Sequence, residues 1–123
     1  MNAKILLVDN NKFSITLYSA LFKKNGFKNF VVTENGVEAL DQIKSQKFDL
    51  IITEINLPTV DGFELIREIR KIKEYKNIPI IVTTTSAMSG DRRKCLEAGA
   101  TDYMTKPFSN TKFIDIVKKW KKV

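Results

Sequence analysis

Four polar side chains of types that can bind or transform a charged ligand end short strand-like segments of this sequence: Asp9, Glu54, Thr84 and Lys106. Glu54 follows the continuous apolar run at 50–52, which predicts a strand buried on both faces of a sheet. Because parallel strands bring their carboxyl ends to one edge, we expect two carboxylates, a hydroxyl and an ammonium group to meet there. Open α/β sheets bind ligands and carry out chemistry at that edge.

The residue types that are missing restrict this chemistry. The sequence has no histidine, which is the commonest general base and metal-ligating side chain. Cys95 is the only cysteine, so neither an internal disulfide nor a cysteine-built zinc site is expected. No nucleophile–base pair is visible, and we therefore expect no free-standing enzymatic activity.

Five strand patterns alternate with helix patterns, and the links between them are short. Such alternation predicts an α/β fold, a doubly wound parallel sheet with helices on both faces. The predicted strands are residues 4–9, 30–33, 50–54, 80–85 and 102–105. The composition is that of an ordinary globular protein, and no linker, repeat or low-complexity tract interrupts it. We expect residues 1–123 to form a single domain without an output domain.

Apolar residues at helical spacing mark the buried face of each predicted helix. The third helix is expected to run from Phe63 to about Tyr75. Ser89 is predicted to cap the fourth helix, and Ser109 or Asn110 the last. The residues predicted to face the core are Phe13, Leu17, Ala20 and Leu21 in the first helix, Val37, Leu40 and Ile43 in the second, Phe63, Ile66, Ile69 and Ile72 in the third, and Phe113, Ile114, Val117 and Trp120 in the last.

The formal net charge is +7, which raises the question of an acidic partner or nucleic acid. The lysines are spread along the chain, which favours solvated helix faces instead. No stripe of aromatic residues interleaved with basic ones stands out, so nucleic-acid binding is the less favoured interpretation. No apolar run approaches the length of a membrane span, and the chain does not open with a signal-peptide pattern. We expect a cytoplasmic protein.

The stretch from Phe48 to Gly62 resembles the phosphorylation loop of response-regulator receiver domains, the phosphoacceptor modules of two-component signalling. The shared features there are Leu57-Pro58 after the strand and Asp61-Gly62 before the next helix. The segment 97–103, Glu-Ala-Gly-Ala-Thr-Asp-Tyr, and the Lys106-Pro107 pair are similar to the family in detail. The resemblance covers nearly the whole chain and implies a flavodoxin-like, chemotaxis-regulator-like sheet with strand order 2-1-3-4-5.

The resemblance also implies a role for each strand-end residue. Glu54 falls at the phosphoacceptor position, where relatives have an Asp that attacks a phosphoryl group. Lys106 and Thr84 match the residues that bind the phosphoryl oxygens, and Thr84 and Tyr103 match the pair that switches between states. Relatives hold Mg²⁺ at this site. The implied metal ligands are Asp9, Asn10, Glu54 and the backbone carbonyl of Asn56.

Three residues depart from the pattern of relatives, and all three affect the acceptor chemistry. Asn10 replaces an acidic metal ligand, Glu54 is one methylene longer than Asp, and Thr85 stands where relatives have Ala or Gly. Binding of Mg²⁺ should therefore be weak. The hypothesis is a stand-alone, degenerate or phosphorylation-independent receiver in phosphorelay signalling, a monomer or weak dimer that acts through protein–protein contacts.

The partner in this hypothesis is a sensor kinase or a downstream signalling protein. The main alternative is a conventional phosphorylatable receiver that uses Glu54 with Mg²⁺. A small nucleic-acid-binding protein is the second alternative, motivated only by the positive charge.

Overall fold

In a computed structural model the protein folds into a five-stranded parallel sheet with helices on both faces. The structure describes residues 3–85 and 89–120. The strands lie in the order β2-β1-β3-β4-β5, which confirms the predicted flavodoxin-like topology. In chain order the elements are β1 (Ile5–Val8), α1 (Lys12–Lys24), β2 (Phe30–Thr33), α2 (Gly36–Ser45), β3 (Leu50–Glu54), α3 (Gly62–Arg70), a short 3-10 helix (Lys73–Tyr75), β4 (Ile80–Thr84), α4 (Ser89–Ala98), β5 (Asp102–Thr105) and α5 (Asn110–Trp120).

The three central strands are buried on both faces, as their continuous apolar runs predict. Alternate side chains along each strand point to opposite faces and enter two separate clusters. One face, with Leu6, Ile51 and Val82, packs against α2, α3 and α4. The other, with Leu7 and Ile52, packs against α1 and α5. By the same alternation Asp9, two residues after Leu7, and Glu54, two residues after Ile52, lie on this second face.

The buried face of α1 differs from the predicted one. The side chains that face the core are Ser14, Tyr18, Leu21 and Phe22, whereas the prediction was Phe13, Leu17, Ala20 and Leu21. Phe13 is 76% exposed, Ala20 is exposed and Leu17 is only partly buried. Both sets fit a helical period, so the pattern alone does not choose between them. Packing selects the set that buries two aromatic rings, Tyr18 and Phe22, rather than the set that would bury one.

Two further predictions about the helices are wrong. Val37 is 46% exposed, and Ala39 takes a core position in α2 instead. The third helix ends at Arg70 rather than near Tyr75, because Ile72 adopts an extended backbone and a 3-10 turn follows. In the last helix Phe113, Ile114 and Val117 are buried, and Trp120 is partly buried.

The predicted caps have different outcomes. Ser109 caps α5, since its hydroxyl accepts a hydrogen bond from the Lys112 N–H at 3.0 Å. Ser89 begins α4, but its side chain is not among those that the structure describes, so its predicted capping role stays a prediction. In the part of the chain that is described, no helix combines the length and apolar character that a membrane crossing requires.

Candidate functional site

A buried ion bridge lies at the carboxyl edge of the sheet. The Lys106 ammonium donates to Asp9 Oδ2 at 3.0 Å and to Glu54 Oε1 at 3.2 Å. Asp9 follows β1, Glu54 ends β3 and Lys106 follows β5, so the parallel topology brings the three together from distant parts of the chain. The exposed fraction of the side chain is 1% for Asp9, 8% for Glu54 and 13% for Lys106. The predicted convergence of these groups is therefore observed.

The second oxygen of Glu54 turns back onto the chain that follows it. Glu54 Oε2 accepts from the backbone N–H of Ile55 at 2.7 Å and from that of Asn56 at 3.2 Å. Hydrogen bonds to a charged acceptor are the strong ones, and here they use the amides of the loop itself. Both oxygens of the carboxylate are consequently engaged within the domain, one by an ammonium group and the other by two amides.

Asp9 is fixed in a similar way. Its Oδ1 accepts from the Asn11 N–H at 2.8 Å, while Asn11 also caps α1 through the Ser14 N–H. The start of α1 and the carboxylate are thus part of one hydrogen-bonded turn. Because Asp9 is fully buried, its two oxygens depend on these protein donors.

The charge on Lys106 is set by opposing effects. Burial alone would lower the pKa of this ammonium group, but its hydrogen bond to Asp9 and the negative charges of Asp9 and Glu54 outweigh burial. The pKa of Lys106 is therefore raised above its ordinary value, and the bridge keeps its positive charge at neutral pH. Two carboxylates and one ammonium group leave a single net negative charge at this edge.

The loop after β3 is held close to the start of α3. A Cβ on Gly62 would lie 2.5 Å from Ile55 Cα and 2.6 Å from the Glu54 carbonyl oxygen, so only glycine fits there. The Gly62 N–H donates to the Ile55 carbonyl at 2.7 Å. Within this loop Thr59 has φ +71°, which is an unfavourable conformation for a β-branched residue. The loop after β3 thus packs tightly against Glu54 and Ile55.

The other predicted site residues differ in how deeply they are buried. Thr84 is fully buried at the end of β4, and Tyr103 is partly buried in β5 opposite Val82. Thr85 and Asn10 are exposed. Asn56 is exposed as well, and its described contact is the hydrogen bond that its backbone N–H donates to Glu54 Oε2, not one through its carbonyl. The switching and metal-binding roles assigned to these residues remain predictions. The Lys106-Pro107 peptide is cis, as the resemblance implies.

Two residues of the site, Thr83 and Tyr18, were not predicted from the sequence. Thr83 is the β4 partner of Glu54 in the sheet register, and among the described residues its buried hydroxyl oxygen has no protein hydrogen-bond partner. Tyr18 of α1 places its ring 5.9 Å from the Lys106 Nζ. The sequence contains a signal for Tyr18, since Ser14, Tyr18, Leu21 and Phe22 also follow a helical period.

The carboxylates of Asp9 and Glu54 are the charged oxygen ligands that the described part of this edge offers a divalent cation. A hard divalent cation prefers several charged oxygen ligands, and no cluster of three or more acidic, histidine or cysteine side chains occurs in the described residues. The facing oxygens of Asp9 and Glu54 are bridged by the Lys106 ammonium, which supplies the positive charge between them. Asn10 can offer only a neutral amide.

The parallel sheet of order 2-1-3-4-5, with an acidic strand end, an acceptor-position carboxylate and a bridging lysine before a cis proline, defines a receiver-type domain. Residues 5–118 match the response regulator receiver domain family, and this chain belongs to that family. It is accordingly a receiver domain of two-component signalling. The polar-differentiation response regulator DivK of Brucella anthropi is 32% identical over 120 residues, which are 98% of this chain and 97% of DivK.

Solved structures of receiver domains and response regulators are also similar to this chain. The receiver domain of the sensor histidine kinase PA1611 from Pseudomonas aeruginosa is 33% identical and has a TM-score of 0.89, with 98% of each chain covered. That structure contains a magnesium ion coordinated in the active-site cleft. The chemotaxis response regulator CheY4 of Vibrio cholerae is 28% identical and has a TM-score of 0.90, with 97% of this chain and 98% of CheY4 covered.

Proposed function

We propose that this receiver domain acts without a stable phosphoryl group at residue 54 and signals through protein–protein contacts. The observation that supports this proposal is the engagement of both Glu54 oxygens, by Lys106 on one side and by the Ile55 and Asn56 amides on the other. An attacking carboxylate would have to give up these contacts within a buried site. The Lys106 ammonium, which would bind an incoming phosphoryl group, is already paired with carboxylates.

The length of the Glu54 side chain adds a second argument. Displacement chemistry loses efficiency when the reacting atoms are misplaced by about 1 Å, and the extra methylene of Glu moves the carboxylate by roughly that distance. The carboxylate then occupies space that an incoming phosphoryl group needs. It supplies one negative charge, against about −1.5 to −2 for a phosphoryl group. Glu54 is thus a permanent but weaker anion beside Lys106.

The proposed role is that of an interaction module. Its partner would be a sensor kinase or a downstream signalling protein, and the domain would have no enzymatic turnover of its own. We propose that Mg²⁺ binds only weakly, because Asn10 is neutral and Lys106 bridges the two buried carboxylates. One alternative is a conventional receiver phosphorylated on Glu54 in the presence of Mg²⁺. It is favoured by the three residues that match the pattern of relatives, Thr84, Tyr103 and Lys106.

Intact-mass spectrometry after incubation with acetyl phosphate and Mg²⁺ distinguishes these functions. We expect no stable phosphoryl adduct on the wild-type protein. The Asn10→Asp/Glu54→Asp variant should be labelled, because it regains a shorter nucleophile and a metal carboxylate while keeping Asp9, Thr84 and Lys106. Glu54→Asp alone should be labelled less, since its metal site remains weak.

The matched control is Glu54→Gln, which keeps the side-chain length but removes the nucleophile. A wild-type adduct as abundant as that of the double variant, and absent from Glu54→Gln, would establish Glu54 as a phosphoacceptor. The conventional receiver would then replace the function proposed above.

A further inference from the structure

Three aromatic rings lie stacked beside the ion bridge. Tyr18 comes from α1, Phe108 from the loop after β5 and Phe113 from α5. The ring centroids of Tyr18 and Phe113 are 4.5 Å apart with an interplanar angle of 14°, and those of Tyr18 and Phe108 are 5.9 Å apart at 16°. The Phe108 and Phe113 rings are also parallel, at 5.8 Å and 5°. The stack therefore ties together two helices and the loop that carries Lys106.

The Tyr18 ring is the part of this stack that lies near the ammonium group. Lys106 Nζ is 5.9 Å from the Tyr18 ring centroid, within the range of a cation–π contact. Tyr18 is 3% exposed, and only a small part of the Lys106 side chain reaches solvent. Such contacts strengthen when both partners are withdrawn from water. The ring thus lies against a buried cation whose other neighbours are Asp9 and Glu54.

The contact also limits where the Lys106 side chain can go. Lysine has a long, flexible stem and many rotamers, so two carboxylates alone do not fix its path. Tyr18 and Lys106 both line a shallow cavity of about 160 Å³. The other residues that line it are Phe13, Ser14, Leu17, Pro107 and Phe108. Without the Tyr18 ring this cavity would extend toward the ammonium group and admit water to the bridge.

We propose that Tyr18 is a positioning residue that keeps the Lys106 ammonium between Asp9 and Glu54. This inference rests on the ion bridge used in the proposed function and adds the element that holds it. Removal of the ring should release Lys106 for part of the time, while the fold is retained by the remaining aromatic and aliphatic core. A phenylalanine at position 18 should be sufficient, because the ring face rather than the hydroxyl contacts the cation.

Trace acetylation with acetic anhydride, followed by peptide mass spectrometry, tests the proposal on the unphosphorylated protein. The rate at Lys106 is normalised to that at the exposed Lys12 in the same sample. We expect Tyr18→Leu to raise this ratio at least about fivefold, which is the fold-change for loss of a cation–π contact of about 1 kcal/mol. Tyr18→Phe should leave the ratio within about twofold of wild type.

Phe22→Leu is the matched control. Phe22 lies on the same helix, is fully buried in the same cluster and contacts Phe113, but it belongs to the rings around Phe27 and Phe30. It should leave Lys106 protected. The proposal is overturned if Tyr18→Leu leaves Lys106 at the wild-type rate, or if Phe22→Leu exposes it equally. Tyr18→Met provides a milder variant should Tyr18→Leu fold poorly.

This test is separate from the phosphorylation experiment. The acetylation rates are measured with Glu54 in place and without a phosphoryl donor. A phosphoryl adduct on wild-type Glu54 would overturn the proposed function but would leave the acetylation result, and the role of Tyr18, unchanged.

Discussion

Two partly buried cations lie at opposite edges of the sheet and are held by different kinds of partner. Lys106, at the carboxyl edge, pairs with the carboxylates of Asp9 and Glu54. Arg70, at the end of α3, lies near the amino ends of β4 and β5, where its described hydrogen bonds go to neutral oxygens. One arrangement depends on charge, whereas the other depends on the geometry of the backbone.

The Arg70 guanidinium group connects two segments of the chain, the one between α3 and β4 and the one between α4 and β5. Its Nε donates to the Gly99 carbonyl at 2.9 Å, and its Nη1 donates to the carbonyls of Tyr75 and Ile78, both at 2.7 Å. Nη2 reaches the Thr101 hydroxyl at 3.2 Å, and that hydroxyl accepts from the Ile80 N–H. Burial lowers the pKa of Arg70, but arginine stays protonated at any ordinary pH. This edge therefore keeps the positive charge of Arg70 at any ordinary pH.

The two edges differ in how they respond to a change in nearby charge. The planar guanidinium group of Arg70 is held by hydrogen bonds of fixed geometry to neutral carbonyls. A lysine between two carboxylates responds to any change in their charge or position. We propose that signalling acts through the carboxyl edge, where Lys106 lies between Asp9 and Glu54.

The largest expected effect is at the Arg70 edge. Arg70→Met should lower the free energy of unfolding by about 3 kcal/mol, because several carbonyls lose their donor at once. Arg70→Lys should recover only part of this loss, since an ammonium group cannot match the guanidinium fork. Urea denaturation measures both. Arg67→Met, at an exposed position of the same helix, should change stability by less than about 0.5 kcal/mol. Equal effects at positions 67 and 70 would remove the contrast between the edges.

A smaller and pH-dependent effect is expected at the Lys106 edge. Lys106→Met should cost about 2 kcal/mol at neutral pH, because Asp9 and Glu54 lose their countercharge but keep their backbone donors. The pKa of Lys106 is raised on folding, so its contribution is complete below the ordinary value of 10.5 and is lost as pH rises through the folded value. The stability difference between wild type and Lys106→Met should therefore stay constant from about pH 7 to pH 10 and shrink above that range.

Urea titrations of both proteins across this pH range give the measurement. The difference between them cancels the lysines and tyrosines that titrate alike in both, and Tyr18, which lies beside Lys106, is the exception. A difference that already shrinks below about pH 9 would mean that burial, rather than the carboxylates, controls the pKa of Lys106.

The sequence predicted the sheet and the composition of the polar edge because both follow from local patterns. Continuous apolar runs identified the central strands, and the rule that parallel strands share an edge brought Asp9, Glu54 and Lys106 together. What it could not predict depends on side-chain paths and packing. The turn of Glu54 Oε2 onto the following amides requires knowledge of its rotamer. The burial of Tyr18 instead of Leu17 requires knowledge of what the helix packs against.

The Arg70 connections were hidden for a related reason. A helix that continues to Tyr75 would place Arg70 inside it, whereas the helix ends at Arg70. At this end the guanidinium group donates to the carbonyls of Tyr75 and Ile78, and the local sequence pattern does not indicate such contacts across a turn.

A double-mutant cycle between Glu54 and Lys106 most directly tests the claim that these residues form a stabilising pair in the resting domain. The four proteins are wild type, Glu54→Gln, Lys106→Met and the double variant, compared by urea denaturation at neutral pH. We expect a coupling free energy of about 1 kcal/mol, because the pair is buried and Asp9 retains part of the interaction with Lys106. A coupling within about 0.3 kcal/mol of zero would show that Glu54 and Lys106 act independently and would contradict the account.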